Sequence, residues 1–286
     1  MRMSVPKATG KKRSTDLLLK GLVYFSIIFT IAMLLLVVGH VLIKGLPNLK
    51  PELFAWEHTT ENQSMMPAII NTLHMILLTL FICVPVGVMT AIYTCEYARP
   101  GNKFVKVVRV FTETLQGIPS IIYGLFGMLF FRYFLEYGMS ILSGTLTMSI
   151  MCLPLIIRAS EEALIAVPNL LREAAYGLGA RKLRTVFTVV LPSASMGIFS
   201  GIILSIGRIV GETAAIIYTA GTMARLARID ESGRTLAIHM YQLQAEGMFV
   251  PQAYATAVVL LIVVIIINAI SAGIQNKIEA KEQGDV

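Results

Sequence analysis

The feature that most limits what this chain can fold into is a set of apolar runs longer than any water-soluble core requires. Crossing about 30 Å of hydrocarbon at 1.5 Å per residue takes roughly 20 residues. Six segments meet that demand: residues 21–43, 69–95, 111–134, 139–157, 197–221 and 254–274. In lipid a lone run satisfies its backbone groups only as a helix, so the predicted fold is an all-α integral membrane protein with six transmembrane helices. The composition agrees, with 56% hydrophobic and 14% charged residues, where a soluble domain carries about 25% charged. A cytosolic enzyme, a secreted disulfide scaffold and a disordered tail are excluded. Cys83, Cys95 and Cys152 lie in or at the ends of these runs without CxxC or His-rich spacing, and read as small membrane hydrophobes.

Orientation follows from Lys and Arg, which resist translocation. Residues 1–20 carry six, 96–110 four, 158–196 five and 275–286 two, against six on the intervening loops. Seventeen against six places both termini in the cytosol. The net charge of +7 is then mostly topology, and nucleic acid need not be invoked. The apolar stretch from Gly21 to Ile43 is too long for a signal peptide, and no small-x-small cleavage site follows it; an uncleaved first span is expected. The expected organisation is a cytosolic basic tail over 1–20, a first span and outer loop over 21–68, a core over 69–275 and a cytosolic tail over 276–286.

Within the core, residues 158–196 form a cytosolic loop long enough to suggest a task. Pro168 and Asn169 open a short helix over 170–176, and Gly177 and Gly179 stop it. A second helical stretch is expected from Ala180 until Pro192 opens span five. Composition alone describes an ordinary re-entry loop with a surface helix. The spacing is more specific: Glu173-Ala174-Ala175, three residues, Gly179, nine residues, then Val189-x-Leu191-Pro192. It resembles the EAA motif of the membrane subunits of ATP-binding-cassette importers, with Val189 where isoleucine is commonest. That resemblance implies a coupling helix, between spans four and five, that docks on a separate ATPase. The residue types fit: the alanines allow close approach, Glu173 offers a charge-assisted contact, and Gly179 permits a sharp turn. The chain has no G-x-x-x-x-G-K-[ST] cradle, so no cofactor is expected on it, and ATP and Mg belong to the partner.

Charges inside the spans need a reason, since an arginine at mid-membrane costs at least about 2.5 kcal/mol. Arg208 is the twelfth residue of the fifth span, about 16 Å along at 1.5 Å per residue, with Glu212 expected one turn beyond. The two could form an i,i+4 ion pair, or Arg208 could offer its fork to an oxyanion while Glu212 holds it between substrates. Gly197 with Gly201, and Gly207 with Gly211, are GxxxG pairs that suit close packing of a neighbouring subunit. Arg158, Glu161 and Glu162 cluster at the inner end of span four, readable as snorkelling charges or a cytosolic gate. In span three, Pro119 frees a carbonyl; either it makes a simple kink, or broken backbone lines a cavity beside Ser120.

Together Gly117-Ile-Pro-Ser-Ile-Ile-Tyr-Gly-Leu125, Arg158 with Glu161, and residues 207–221 (GRIVGETAAIIYTAG) are similar to the phosphate-specific permeases of the PstA type. The resemblance covers residues 65–275. It implies transport roles for Arg158, Glu161 and Arg208; Glu212 and Ser120 are added from burial and chemistry. It also implies a second permease subunit, an ATPase dimer and an extracytoplasmic phosphate-binding protein in a bacterial inner membrane. Two other classes remain: the same machinery for sulfate or molybdate, and a non-transporting membrane protein. The latter would be a signalling scaffold or an intramembrane enzyme, though no HExxH or GxSxG occurs and His40, His58, His74 and His239 are scattered.

Overall fold

A computed structural model of the chain describes residues 10–99 and 101–284. Residues 1–9 of the expected basic tail and 285–286 of the expected C-terminal tail lie outside the described residues. Among the described residues every regular element is helical. Helix α1 (Gly10–Gly45) begins well inside the expected basic tail. Two short 3₁₀ turns, Leu46–Asn48 and Pro51–Phe54, shape the loop to α2 (Met66–Ile92), which runs on through a π-helical turn, Tyr93–Tyr97. Then come α3 (Lys103–Gln116), α4 (Ser120–Gly127, continued as π-helix over Met128–Phe134) and α5 (Ile141–Ala166). Helix α6 (Asn169–Gly177) precedes α7 (Lys182–Thr185), which passes through the π turn Val186–Val190 into α8 (Leu191–Ser193). The chain closes with α9 (Ser195–Gly211), α10 (Ala214–Thr219), α11 (Leu236–Glu246) and α12 (Val250–Gly284).

Among the described residues four continuous helices are long and apolar enough to cross a membrane: Leu17–Asn48, Met66–Tyr97, Ile141–Ala166 and Val250–Gln275. Two bent pairs raise the count to as many as six: Lys103–Gln116 with Ser120–Phe134 at 105°, and Lys182–Ser193 with Ser195–Gly211 at 63°. Segment 111–134 is therefore not one continuous helix but part of a bent pair, either a broken span or a re-entrant turn. Pro119 cannot donate and steers Ile118 away from helical angles, and with Gly117 ahead of it the chain breaks outright. Segment 197–221 is interrupted as well, because α9 ends at Gly211 and Glu212 is extended (φ −75°, ψ 129°). Span four is longer than expected: α5 continues to Ala166, so Arg158, Glu161 and Glu162 stand on the spanning helix rather than on a loop beginning at 158. Pro192 lies inside a helical stretch, and the bend falls after it, at Ala194.

Helices α2 and α5 form the central pair and run parallel. Gly144 faces Met75, Gly87 faces Ile156, and Thr94 bonds Glu161. A Cβ on Gly87 would sit 2.7 Å from the Ile156 side chain, so the pair depends on the absent atom. The main core gathers Met75, Cys83, Met148, Met151, Cys152 and Ile209, with Ala215 and Ile216 from α10. A second cluster near the other end of the pair joins Ala91, Leu164, Val186, Val190 and Ile198. Cys83 and Cys152 are buried free thiols, as small hydrophobes should be, and Cys95 is half-buried. At the opposite end Asn71, fully buried, donates to the carbonyls of Arg225 (2.8 Å) and Arg234 (3.2 Å) and accepts from Ala227 N–H (3.1 Å). One amide thus fastens the 222–235 segment to α2. The start of α5 is tied to the same segment by Ile141 N–H on Glu231 and Leu142 N–H on Ile229, both 2.9 Å.

Candidate functional site: charged cavities along the helix bundle

Three groups of charged residues separate along the bundle. The first lies where α3 meets the far end of α5. There Arg109, Glu113 and Gln116 of α3 face Arg158, Glu161 and Glu162 of α5 around a cavity of about 210 Å³. Arg158 and Glu162 pair at 3.0 Å, as their i,i+4 spacing suggests, but both are exposed and such a pair contributes little. Glu161 is better held: its side chain is 13% exposed, Arg109 lies 3.7 Å away, and the Thr94 hydroxyl donates to its carboxylate. Gln116 donates to the Pro154 carbonyl at 3.1 Å and so ties the end of α3 to α5. Sequence reasoning missed Thr94 and Arg109, because their partnership with Glu161 is formed across helices.

The second group surrounds Arg208. A cavity of about 850 Å³ between α9 and α12 is lined by Arg208, Ser200, Gly207, Asn268 and Gln275 beside apolar side chains. Arg208 sits in the last turn of α9, where its charge complements the helix dipole. The expected Arg208–Glu212 pair is not made among the described residues. The helix ends between the two, and Glu212 Oε1 instead accepts from Ala215 N–H at 3.0 Å, capping α10. Glu212 is thus turned to structure, and the guanidinium is left without a carboxylate. The GxxxG pairs also divide: Gly197 and Gly201 pack on Ala163 and Ala159 of α5, whereas Gly207 and Gly211 open onto free space. Ser120 opens α4 half-buried and lines neither charged cavity. Its neighbour Ile121 lines a third cavity of about 570 Å³ with Tyr218, Tyr241 and Tyr254 and no charged side chain, so that space does not suit an anion.

The third group is the short helix α6 with Pro168 at its N-cap. Glu173 and Ala174 are exposed and Ala175 is half-buried. Leu170 and Leu178 are 73% and 90% exposed, an apolar surface without cover among the described residues. Gly179 has φ +80°, the left-handed conformation its place after the helix calls for. The inward face of α6 is anchored by a residue the sequence did not single out: Arg172 bonds Glu96 at 2.7 Å, with side chains 15% and 7% exposed.

At the end of the bundle where Asn71 lies, two of the scattered histidines meet. His58 and His239 stack edge to face with centroids 5.9 Å apart, and the Arg234 guanidinium reaches the His58 ring at 3.2 Å. His239 is completely buried, and among the described residues neither ring nitrogen makes a hydrogen bond of good geometry, the Gln63 backbone being the polar group that bears on it. Burial, then the Arg234 and His58 charges, pushes its pKa down to about 2; burial lowers His58 too, and brings Arg234 down to about 10. Among the described residues no group of three or more His, Cys, Asp or Glu side chains is placed to hold a metal.

Residues 83–283 match the family described as binding-protein-dependent transport system inner membrane component. The chain is similar to the probable ABC transporter permease protein YqgI of Bacillus subtilis, with 32% identity over 282 residues covering 90% of this chain and 94% of the relative. It is also similar to the phosphate transport system permease protein PstA of Haemophilus influenzae, with 29% identity and 82% and 83% of the two chains covered. Among solved structures, a subunit of a bacterial alginate ABC transporter superposes with a TM-score of 0.70 over 94% of this chain and 97% of its own, at 16% identity. That last likeness concerns the fold alone.

Proposed function

From the premise that the chain belongs to the binding-protein-dependent transport-system inner membrane components, we propose that it is a permease subunit of an ATP-driven inorganic phosphate importer. The observation that carries the cargo reading is Arg208, a cation without a carboxylate partner among the described residues, in a largely apolar cavity, in a chain whose relatives include permeases named for phosphate. A planar fork of donors suits a tetrahedral oxyanion, and a single such group gives a site weak enough to release what it binds. Arg158 and Glu161, with Arg109, would form the inner gate; Ser120 and Glu212 would serve the path only indirectly, by starting and capping helices.

In this reading both termini are cytosolic, the core of 69–275 crosses six times in all with the first span, and α6 docks on an ATPase dimer through Glu173, Ala174 and Ala175. ATP and Mg act there and not on this chain. A second permease subunit completes the path, an extracytoplasmic binding protein delivers the ion, and lipid covers the rest. ATP binding draws the ATPases together, α6 moves with them, and the path opens outward; hydrolysis resets it.

The test is uptake of labelled phosphate, with sulfate and molybdate as controls, in cells lacking their own copy and supplied with wild type, Arg208→Ala or Glu173→Lys. Phosphate uptake by wild type alone, with Glu173→Lys no longer retaining the ATPase, supports the reading. Uptake of sulfate or molybdate instead transfers the mechanism to that ion. If wild type takes up none of the three ions and Arg208→Ala still signals phosphate normally, the scaffold is favoured.

A further inference from the structure

Helix α6 has no buried residue of its own, and apolar packing alone does not hold it to the bundle. Besides its contact with the π turn Val186–Val190, one side chain supplies its polar ties to the central pair. Arg172 donates to Glu96 through both Nε (3.1 Å) and Nη2 (2.7 Å), to the Val167 carbonyl (2.7 Å) and to the Leu164 carbonyl (2.8 Å). The two carbonyls belong to the end of α5, which stops at Ala166; these are groups a helix terminus leaves without intrahelical donors. Glu96 belongs to the π turn that ends α2. A single guanidinium therefore joins α6 to both members of the central pair, as charge-assisted bonds in a place largely shut from water.

The same π turn carries Thr94, whose hydroxyl donates to Glu161, and Glu161 faces Arg109 at 3.7 Å across the inner cavity. Cys95, between them, lies with its thiol 3.9 Å from the Glu161 carbonyl. Five residues thus hold a contact with α6 at one point and with the gate at another. A π turn is an irregular segment that recurs at functional positions, and a displaced α6 must either pull this one along or expose a buried ion pair.

We propose that Arg172 and Glu96 are positioning residues: they form the joint through which movement of α6 reaches the Thr94–Glu161–Arg109 gate. The proposal rests on the reading of α6 as the ATPase-docking helix. It differs from a purely structural tie in what it demands of variants, because a tie affects assembly while a joint affects coupling in an assembled complex.

The experiment uses the complete complex with its binding protein, carrying Arg172→Gln or Glu96→Gln, with Arg172→Lys as a third variant that keeps the charge and loses the fork. One readout is phosphate transported per ATP hydrolysed. The other is ATP-dependent thiol labelling of Ile165→Cys, an exposed position on the inner cavity, in a Cys83→Ala, Cys95→Ser, Cys152→Ala background. The expected result is continued ATP hydrolysis with transport per ATP lowered about 10-fold or more, loss of the ATP response in labelling, and a double Gln variant no worse than either single one. Wild-type coupling and labelling in either Gln variant would overturn the joint, as would single effects that multiply in the double variant. A wild-type complex that moves no phosphate refutes the cargo, and the labelling response then decides the joint by itself. If the Gln variants fail to reach the membrane, the same comparison is made with Arg172→Lys, whose wild-type behaviour in both readouts would equally overturn it.

Discussion

In the proposed reading, Arg208 opposes stability and serves function. An arginine at span depth costs about 2.5–3.5 kcal/mol on insertion scales, and a place in the last helical turn returns only about 0.3–1 kcal/mol through the dipole. With no carboxylate to offset the rest, Arg208→Ala should insert at least as well as wild type. Phosphate uptake should nonetheless fall by about 10-fold or more, the loss expected when one strong charge-assisted contact is removed. Immunoblots of membranes beside uptake rates check both signs, and Arg208→Lys should fall between. The arginine was legible in the sequence as an intramembrane charge, but the fate of Glu212 was not. A continuous helix would have placed the two one turn apart, and it is the extended backbone at Glu212 that turns its carboxylate onto the Ala215 N–H.

His239 makes a second residue-scale prediction. Its folded pKa of about 2 lies below the ordinary 6.5, so the unfolded chain binds the proton more readily. Stability from keeping this ring neutral is complete above about pH 6.5 and is lost as pH falls toward the folded value, at about 1.4 kcal/mol per pH unit. The groups that bear on the pair are Arg234, which stays charged throughout, and Glu246, whose charge raises His58 and Arg234. His239→Phe should reduce the loss of thermal stability between pH 7.5 and 5.5; an unchanged loss would show that other groups govern it. No sequence pattern announced this pair, since 180 residues separate the two histidines and only the packing of the 3₁₀ loop on α11 brings them together.

At the scale of elements, most of what neighbours in sequence determine is legible, and what packing determines is not. Helix α6 begins at Asn169 and ends at Gly177 because proline and glycine act on their own neighbours. The 105° break at Gly117–Pro119 was visible as a proline, yet its size depends on α4 lying close enough to α10 for Gly124 to meet the Ala215 backbone, where a Cβ would come within 2.9 Å. The glycines after α6 allow a sharp test. Gly179 has open space around it but φ +80°, so Gly179→Ala costs backbone strain alone, about 1–2 kcal/mol. Gly177 also has open space and no such φ, and alanine there suits a helix slightly better. Retention of the ATPase on isolated membranes should therefore drop in Gly179→Ala and hold in Gly177→Ala. Equal behaviour of the two would mean that the turn does not set the angle of α6.

For the whole molecule, the number of crossings turns on the two bent pairs, and the parallel course of α2 and α5 bears directly on it. Asn71 near the start of α2 and Ile141 at the start of α5 both grip the 222–235 segment, while Thr94 and Glu161 meet toward the far ends. In the six-crossing arrangement the parallel course means that the chain between these two spans comes back across, a return that would fall to α3 with α4. The return from the end of α5 to the 222–235 segment likewise falls to α7 through α10. Six crossings put Gly138 on the outer side and Leu178 in the cytosol, whereas four crossings with two re-entrant pairs put Gly138 in the cytosol and Leu178 outside. Five basic residues in 158–196 favour the first arrangement. Single cysteines at these positions, in a chain without its native three, should separate the two with a membrane-impermeant thiol reagent on intact cells: labelling at Gly138→Cys and protection at Leu178→Cys. The reverse pattern would place α6 on the wrong side for any ATPase, and the coupling scheme built on Glu173 and Arg172 would fall with it.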